Sequence, residues 1–343
     1  MKQAFPDIVA NVALRERMRN EILGDKISHA YILEGAKGSG KHSIALQLAA
    51  ALSCEKKNDG VAPLPCGVCP SCRKILGGYS TDVIYKNRGE KATLGVEVIR
   101  DLKQDVYIPP NDTAAKIYII EDAHLMTTQA QNAFLLTLEE PPSYVLFLLL
   151  CESTALLLET VRSRAPTLRT EPVPSELIDS HICRVSTDAA NLKRNDPSEF
   201  SEILAAADGS IGRALALLDP KKRKPIVTRR QTAREFVRLC TAQKSGTVTL
   251  RFLNSLPQKR DELSEQLEII LYCLRDLLLC KQAENAPLCF FAEREEACAL
   301  AYDFTTPELL TLCECTAEAI DRLRINANVR LTLTALATST GLL

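Results

Sequence analysis

Three apolar runs constrain the fold of this chain most strongly: Ala30-Tyr-Ile-Leu33, Lys116-Ile-Tyr-Ile-Ile120 and Tyr144 to Cys151. They alternate little between apolar and polar residues, which is the pattern of strands buried on both faces. The segments between them carry helical periodicity. Strand, helix and strand in succession predict a parallel, doubly wound sheet with helices on both sides. Asp82 to Asn87 reads as a further strand, and Ile44 to Leu52 and Val96 to Lys103 as helices. Thr127 to Glu140 is predicted to be helical, with Thr127 or Thr128 as its cap and Pro141-Pro142 as its stop. After about Thr170 the strand signals end. Pro172 to Leu218 reads as a small helical unit. Asp219-Pro-Lys-Lys-Arg-Lys-Pro225 reads as a solvated linker, two prolines flanking four basic residues, with a local DNA-facing patch as the alternative. From Thr228 to Leu343 the pattern is helical, with Leu267, Ile270, Leu271, Leu274, Leu277 and Leu278 on a 3.6-residue period. The fold class is therefore α/β followed by all-α, in domains at 1–168, 169–222 and 223–343.

Behind the first apolar run lies Gly35-Ala-Lys-Gly-Ser-Gly40-Lys41. A glycine-rich loop between a strand and a helix is the setting of a phosphate-binding loop. Gly35, Gly38 and Gly40 allow backbone N–H groups to close around phosphate oxygens, and Lys41 adds a point charge. The next residue should be Ser or Thr, whose hydroxyl ligates Mg²⁺. It is His42, whose nitrogen Mg²⁺ does not favour over oxygen. Ser43 carries a hydroxyl but is rotated by roughly 100° along the helix. An ordinary glycine turn that meets no nucleotide is the plain alternative.

Formal net charge is −1, so no global basic field draws the chain to nucleic acid. Trp is absent and aromatics are 5%, which leaves few platforms for stacking bases. The longest apolar run, Val145 to Cys151, falls far short of the ~20 residues that cross a bilayer. Met1 to Asp7 shows no apolar signal region, and cytosol is the expected compartment. There are 13 cysteines, an odd number, and Cys273, Cys280 and Cys298 fall in helical patterns as small core residues. Cys54, Cys66, Cys69 and Cys72 differ: their C-x11-C-x2-C-x2-C spacing suits four thiolates around one structural zinc. Pro63, Pro65, Gly67 and Pro70 make the segment turn-rich. An iron–sulfur cluster is the rival, although its further cysteine followed by proline is missing. Unligated thiols are the third reading.

With these residues in hand, the chain resembles the bacterial clamp-loader AAA+ subunits of DNA polymerase III, and most closely those of the delta-prime type. Ser28-His-Ala-Tyr-Ile-Leu-Glu-Gly35 is similar to the strand entering the family's P-loop, and the four cysteines fall where the family inserts a zinc knuckle. Lys116 to His124 is similar to the Walker B strand. Gln131-Asn-Ala-Phe-Leu-Leu-Thr-Leu-Glu-Glu-Pro-Pro142 resembles the family's most specific stretch. Thr160-Val-Arg-Ser163-Arg164-Ala165 resembles its Ser-Arg-Cys motif, with Ala165 replacing the cysteine. Gly209 to Leu215 resembles the sensor-2 region and Asn326 to Leu331 the end of the collar. The resemblance implies an AAA+ domain with its zinc module at 54–72, a helical lid and a collar that joins subunits.

The departures from the motif carry the functional expectation. A hydrolysing site needs the hydroxyl after the lysine, an acidic metal ligand and a carboxylate that orients water. Here His42 replaces the hydroxyl, and Glu121-Asp122 reverses the usual Asp-Glu order. The shorter side chain at Asp122 ends about 1.5 Å short of where a glutamate would reach. The polar sensor position falls at Cys151 and Glu152. The resemblance thus implies a component of DNA polymerase III with little or no catalysis of its own, and the degenerate cradle counts against retained ATP or ADP. Arg164, with Ser163 beside it, is implied to reach ATP held by a neighbouring subunit. Arg213 either faces the chain's own cradle as a sensor or caps the helix from Ser210. Glu139 and Glu140 read as plain helix-end carboxylates, and His124 as a packing or hydrogen-bonding residue. The implied partners are gamma/tau ATPase subunits and the delta subunit, with the sliding clamp and primer–template DNA met through the complex and no membrane. The alternatives are an active gamma/tau-type ATPase, against which His42 and the lack of a long C-terminal extension count, and a stand-alone zinc-dependent DNA-binding module.

Overall fold

Each of the three apolar runs forms a strand: β1 (Ala30–Glu34), β3 (Lys116–Ile120) and β4 (Val145–Cys151), with β2 (Val83–Lys86) and the short β5 (Thr167–Arg169) completing one sheet. These strands belong to a computed structural model that describes residues 4–59, 62–241, 246–283, 286, 288–291, 293–325 and 327–339. Asn326 of the collar-like stretch and Met1 to Gln3 of the leader reading lie outside the described residues. All pairings are parallel, in the order β2-β3-β4-β1-β5. Helices α1 (Val12–Leu23), α2 (Lys41–Leu52), α3 (Pro70–Leu76), α4 (Val96–Asp105), α5 (Thr128–Glu139) and α6 (Glu159–Arg162) surround it. Successive strand residues point to opposite faces, so two cores form. Tyr31, Leu33, Ile117, Ile119 and Leu148 pack with α1 and α2. Ile32, Tyr118, Ile120, Phe147 and Leu149 pack with α4 and α5. The doubly wound parallel sheet is as the strand composition implied.

The strand order places the site. After β1 the chain crosses to β2 at the far edge, while β4 and β5 flank β1. The loops that leave the carboxyl ends of β1, β3 and β4 meet at this reversal, where open parallel sheets bind ligands.

The remaining chain is helical: α7 (Ser175–Val185), α8 (Thr187–Asn195), α9 (Pro197–Ala207), α10 (Ile211–Leu217), α11 (Pro220–Thr241), α12 (Gly246–Ser255), α13 (Arg260–Gln282), α14 (Arg294–Ala301), α15 (Thr306–Arg324) and α16 (Val329–Ser339). The described chain divides into two compact units, 1–177 with 210–212, and 178–209 with 213–343. In the second unit Leu267, Ile270, Leu274 and Leu277 are buried on one stripe of α13, the periodicity read from sequence.

The linker reading of Asp219 to Pro225 is overturned, because these residues begin α11. The Asp219 carboxylate accepts from Lys221 N at 2.9 Å, and its carbonyl accepts from Arg223 N at 3.0 Å. Asp219 therefore caps the helix and Pro220 takes its first position, where the missing N–H costs nothing. Pro225 is tolerated inside the helix. Consequently the 222/223 boundary falls within a continuous helix. Helices α1 and α3 and strand β5 had no sequence expectation.

Candidate functional site

The glycine loop adopts a cradle-like path after β1. Gly38 and Gly40 have φ of 80° and 85°, left-handed values that favour glycine. A Cβ at Gly35 would collide with the Thr170 side chain. The loop is also held from within its own unit: Ser210 Oγ donates to Gly38 O, and Thr170 Oγ1 and Ser39 Oγ are 2.9 Å apart. Lys41 Nζ donates to Gly35 O at 2.5 Å and Ala36 O at 2.8 Å. Burial lowers the Lys41 ammonium from its ordinary value, against the pull of Glu152, Cys151 and Asp122.

The structure brings His42 together with the acidic pair. His42 Nε2 lies 2.8 Å from Glu121 Oε1, and the imidazole stacks on Tyr85 of β2 at 5.7 Å and 15°. Asp122 sits in the left-handed region, φ 49°, and its carboxylate is 3.5 Å from Arg88 Nε. Each carboxylate of the pair thus faces a nitrogen group of its own chain. At the tip of β4 Cys151 is buried, and Glu152 N donates to His124 Nδ1 at 3.4 Å, the hydrogen-bonding role read for His124. Thr154, three residues past the strand, is bound to Glu34 through its backbone N at 2.8 Å and its hydroxyl at 2.9 Å. Arg169 Nε donates to the same carboxylate at 2.9 Å. Burial pushes the Glu34 carboxyl up, but these donors outweigh it and hold the group below the usual carboxylate range. Tyr85, Arg88, Glu34 and Thr154 were missed in the sequence, where only spatial neighbourhood links them to the loop.

Arg164 follows the single turn of α6. Buried Gln131 fixes this turn: its amide oxygen accepts from Leu158 N at 2.7 Å, while its amide nitrogen donates to Met126 O at 3.2 Å. The Arg164 guanidinium donates to Glu139 Oε1 at 2.6 Å and Thr160 O at 2.8 Å, and meets Ser163 Oγ at 3.3 Å. Ser163 Oγ in turn donates to Thr160 O at 3.1 Å. Glu139, read as a plain helix-end carboxylate, is therefore the ion-pair partner of Arg164. Arg213 lies on α10 in the second unit, where it lines a small cavity with Asp208, Tyr272, Cys289 and Phe290.

Cys54, Cys66, Cys69 and Cys72 are all buried, with sulfur atoms within 4.8 Å of one another. Tetrahedral zinc with Zn–S bonds of ~2.3 Å sets its thiolates roughly 3.8 Å apart; Cys66 and Cys72 are separated by 3.9 Å. Cys69 N donates to Cys66 Sγ, and Cys72 N to Cys69 Sγ at the start of α3, each at 3.4 Å. At Cys66 burial raises the thiol, but such donors outweigh it and lower it to about 7, which favours the thiolate. The donor set therefore fits a closed four-thiolate structural ion.

The family described as DNA polymerase III, delta subunit, matches residues 11–174. The tau subunit of DNA polymerase III from Bacillus subtilis (strain 168) is 30% identical over 295 residues, covering 82% of this chain and 51% of that protein. The chain thus spans about half the length of this relative. The delta' subunit from Yersinia pestis is 30% identical over 335 residues, covering 92% of this chain and 90% of the relative. A solved gamma-subunit-related protein of DNA polymerase III from Thermotoga maritima aligns with 95% of this chain and 98% of its own, at 20% identity and a TM-score of 0.44. With the parallel sheet, its glycine loop and near-complete coverage by the delta' relative, the chain belongs to the bacterial DNA polymerase III clamp-loader AAA+ family.

Proposed function

We propose that this chain is a delta-prime-type clamp-loader subunit that does not hydrolyse ATP and supplies Arg164 to ATP bound by a neighbouring subunit. One observation carries the reading: Glu121 is engaged by His42, the residue that replaces the metal-ligating hydroxyl. Asp122 faces Arg88 rather than standing free as a water-orienting base. With the hydroxyl replaced and both carboxylates turned to nitrogen groups of the same chain, neither Mg²⁺ placement nor nucleophile orientation is supported at this site. ATP or ADP has no evident function in such a cradle.

Arg164 provides the complementary chemistry. A guanidinium stays charged and matches phosphate oxygens with a planar fork. Placed against a neighbour's γ-phosphate, it would stabilise transition-state charge, an effect of ~10³–10⁵ in rate for fingers of this kind. In this reading gamma/tau-type ATPases and a delta subunit are the partners, and clamp and primed DNA are met through the assembly in the cytosol. The first domain carries the cradle and a zinc knuckle, a helical lid follows, and the C-terminal helices form the collar that joins subunits. None of the described helices is long and apolar enough to cross a membrane.

The test is ATP turnover by the purified chain and by the reconstituted loader with clamp and primed DNA. The chain alone should show negligible turnover with DNA, and Arg164→Ala should slow the assembled loader without preventing assembly. Robust turnover by the isolated chain would favour the gamma/tau-type ATPase instead. An Arg164→Ala loader as fast as wild type would remove the finger role.

A further inference from the structure

The geometry points to Glu139 as the positioning residue of Arg164, an inference that rests on the trans role proposed for that arginine. Arg164 carries five guanidinium N–H groups. Two on Nη1 are directed at Thr160 O and Ser163 Oγ, and one on Nη2 at Glu139 Oε1. The Nε–H and the second Nη2–H have no partner among the described residues, which leaves two donors for phosphate oxygens. Three contacts thus preset the guanidinium while two of its donors stay unpartnered, and preset geometry is what a transition-state contact requires.

Glu139 is poorly explained as a stability device. It is the last residue of α5, where the helix dipole disfavours a carboxylate. Both ends of the pair are partly solvated, at 34% and 43% side-chain exposure, and exposed ion pairs add little to stability. What the carboxylate does accomplish is to hold one Nη2–H in place while the Nε–H and the second Nη2–H stay unpartnered. Gln131 fixes the turn leading to α6, the backbone half of the same arrangement.

The experiment measures ATPase kcat and KM in the loader reconstituted with its ATPase subunits, clamp and primed DNA. Wild type is compared with Glu139→Ala, Glu139→Gln, Arg164→Ala and the Glu139→Ala/Arg164→Ala double variant. Glu139→Ala should lower kcat by about three- to tenfold with KM for ATP unchanged, as expected for a misplaced reacting group. Glu139→Gln, which keeps an acceptor for Nη2, should stay within about twofold of wild type. The double variant should be no slower than Arg164→Ala alone, because Glu139 acts only through the arginine. A wild-type kcat for Glu139→Ala beside a slow Arg164→Ala overturns the positioning role and leaves the finger standing. A double variant slower than Arg164→Ala also overturns it. If Arg164→Ala itself is as fast as wild type, the finger reading falls first.

Discussion

Asp82 shows how one side chain can organise a loop. It is 1% exposed, yet it accepts from Asn111 N, Asp112 N, Thr113 N and Thr113 Oγ1 at 2.7–3.0 Å. Burial pushes its carboxyl up, but the four donors outweigh that and hold it below the ordinary value. A carboxyl lowered in the folded state stabilises the protein fully above its unfolded value of ~3.9, and the contribution fades as pH falls through the folded value. Asp82→Asn should therefore cost about 1–3 kcal/mol at pH 7. Urea unfolding should find that cost shrinking below about pH 4; a loss of equal size at pH 7 and pH 3 would refute the assignment. Asp82 was visible in the sequence only as the start of a strand, since its four partners lie some 30 residues away. His42 and Glu121 were legible as departures from a motif, but their mutual contact was not. The same holds for Glu139 and Arg164, 25 residues apart and joined only by the fold.

Among the elements, legibility followed the strength of the local signal. Strands β1, β3 and β4 are almost wholly apolar, and a run buried on both faces has few other uses. β5 has three residues and one buried side chain, too little to stand out. α3 begins inside a proline-rich segment read as turns, and Pro70 is its first residue. Only the start of α11, up to Pro225, was read as a linker, because two prolines flank four basic residues there. Four cations at a helix N-terminus also oppose its dipole, so local propensity and dipole both argued against the helix. Tertiary packing decides: Ala233, Phe236 and Val237 of α11 are fully buried in the second unit's core. Asp219→Ala should then cost about 1 kcal/mol through loss of the cap. Pro225→Ala should stabilise the chain by ~1–3 kcal/mol, because the proline cannot donate to Lys221 O. Thermal melts of the two variants check both signs. Stabilisation by Asp219→Ala, or destabilisation by Pro225→Ala, would contradict the capped-helix account.

Two sets of cores hold the molecule, and the cysteine cluster belongs to one of them. Cys54, Cys66, Cys69 and Cys72 are packed with Ala49, Leu64, Ile75 and the β1 residues of the first unit. The core around α13 contains none of them, and it is closed by Asp276, whose fully buried carboxylate accepts from Phe290 N and Phe291 N. A four-thiolate metal would tie Cys66, Cys69 and Cys72 to Cys54, just past the end of α2, so its removal should loosen the first unit specifically. Elemental analysis should find about one zinc per chain, the ratio a closed four-ligand site requires. Scanning calorimetry should show separate transitions for the two units, as chains with more than one core depart from two-state unfolding. A chelator, or Cys72→Ser, should lower the first unit's transition by roughly 10 °C and leave the other within about 2 °C. A first transition unmoved by chelation would exclude a structural metal. One transition displaced as a whole would instead mean that the two cores unfold together, and that the cysteine site stabilises the entire chain.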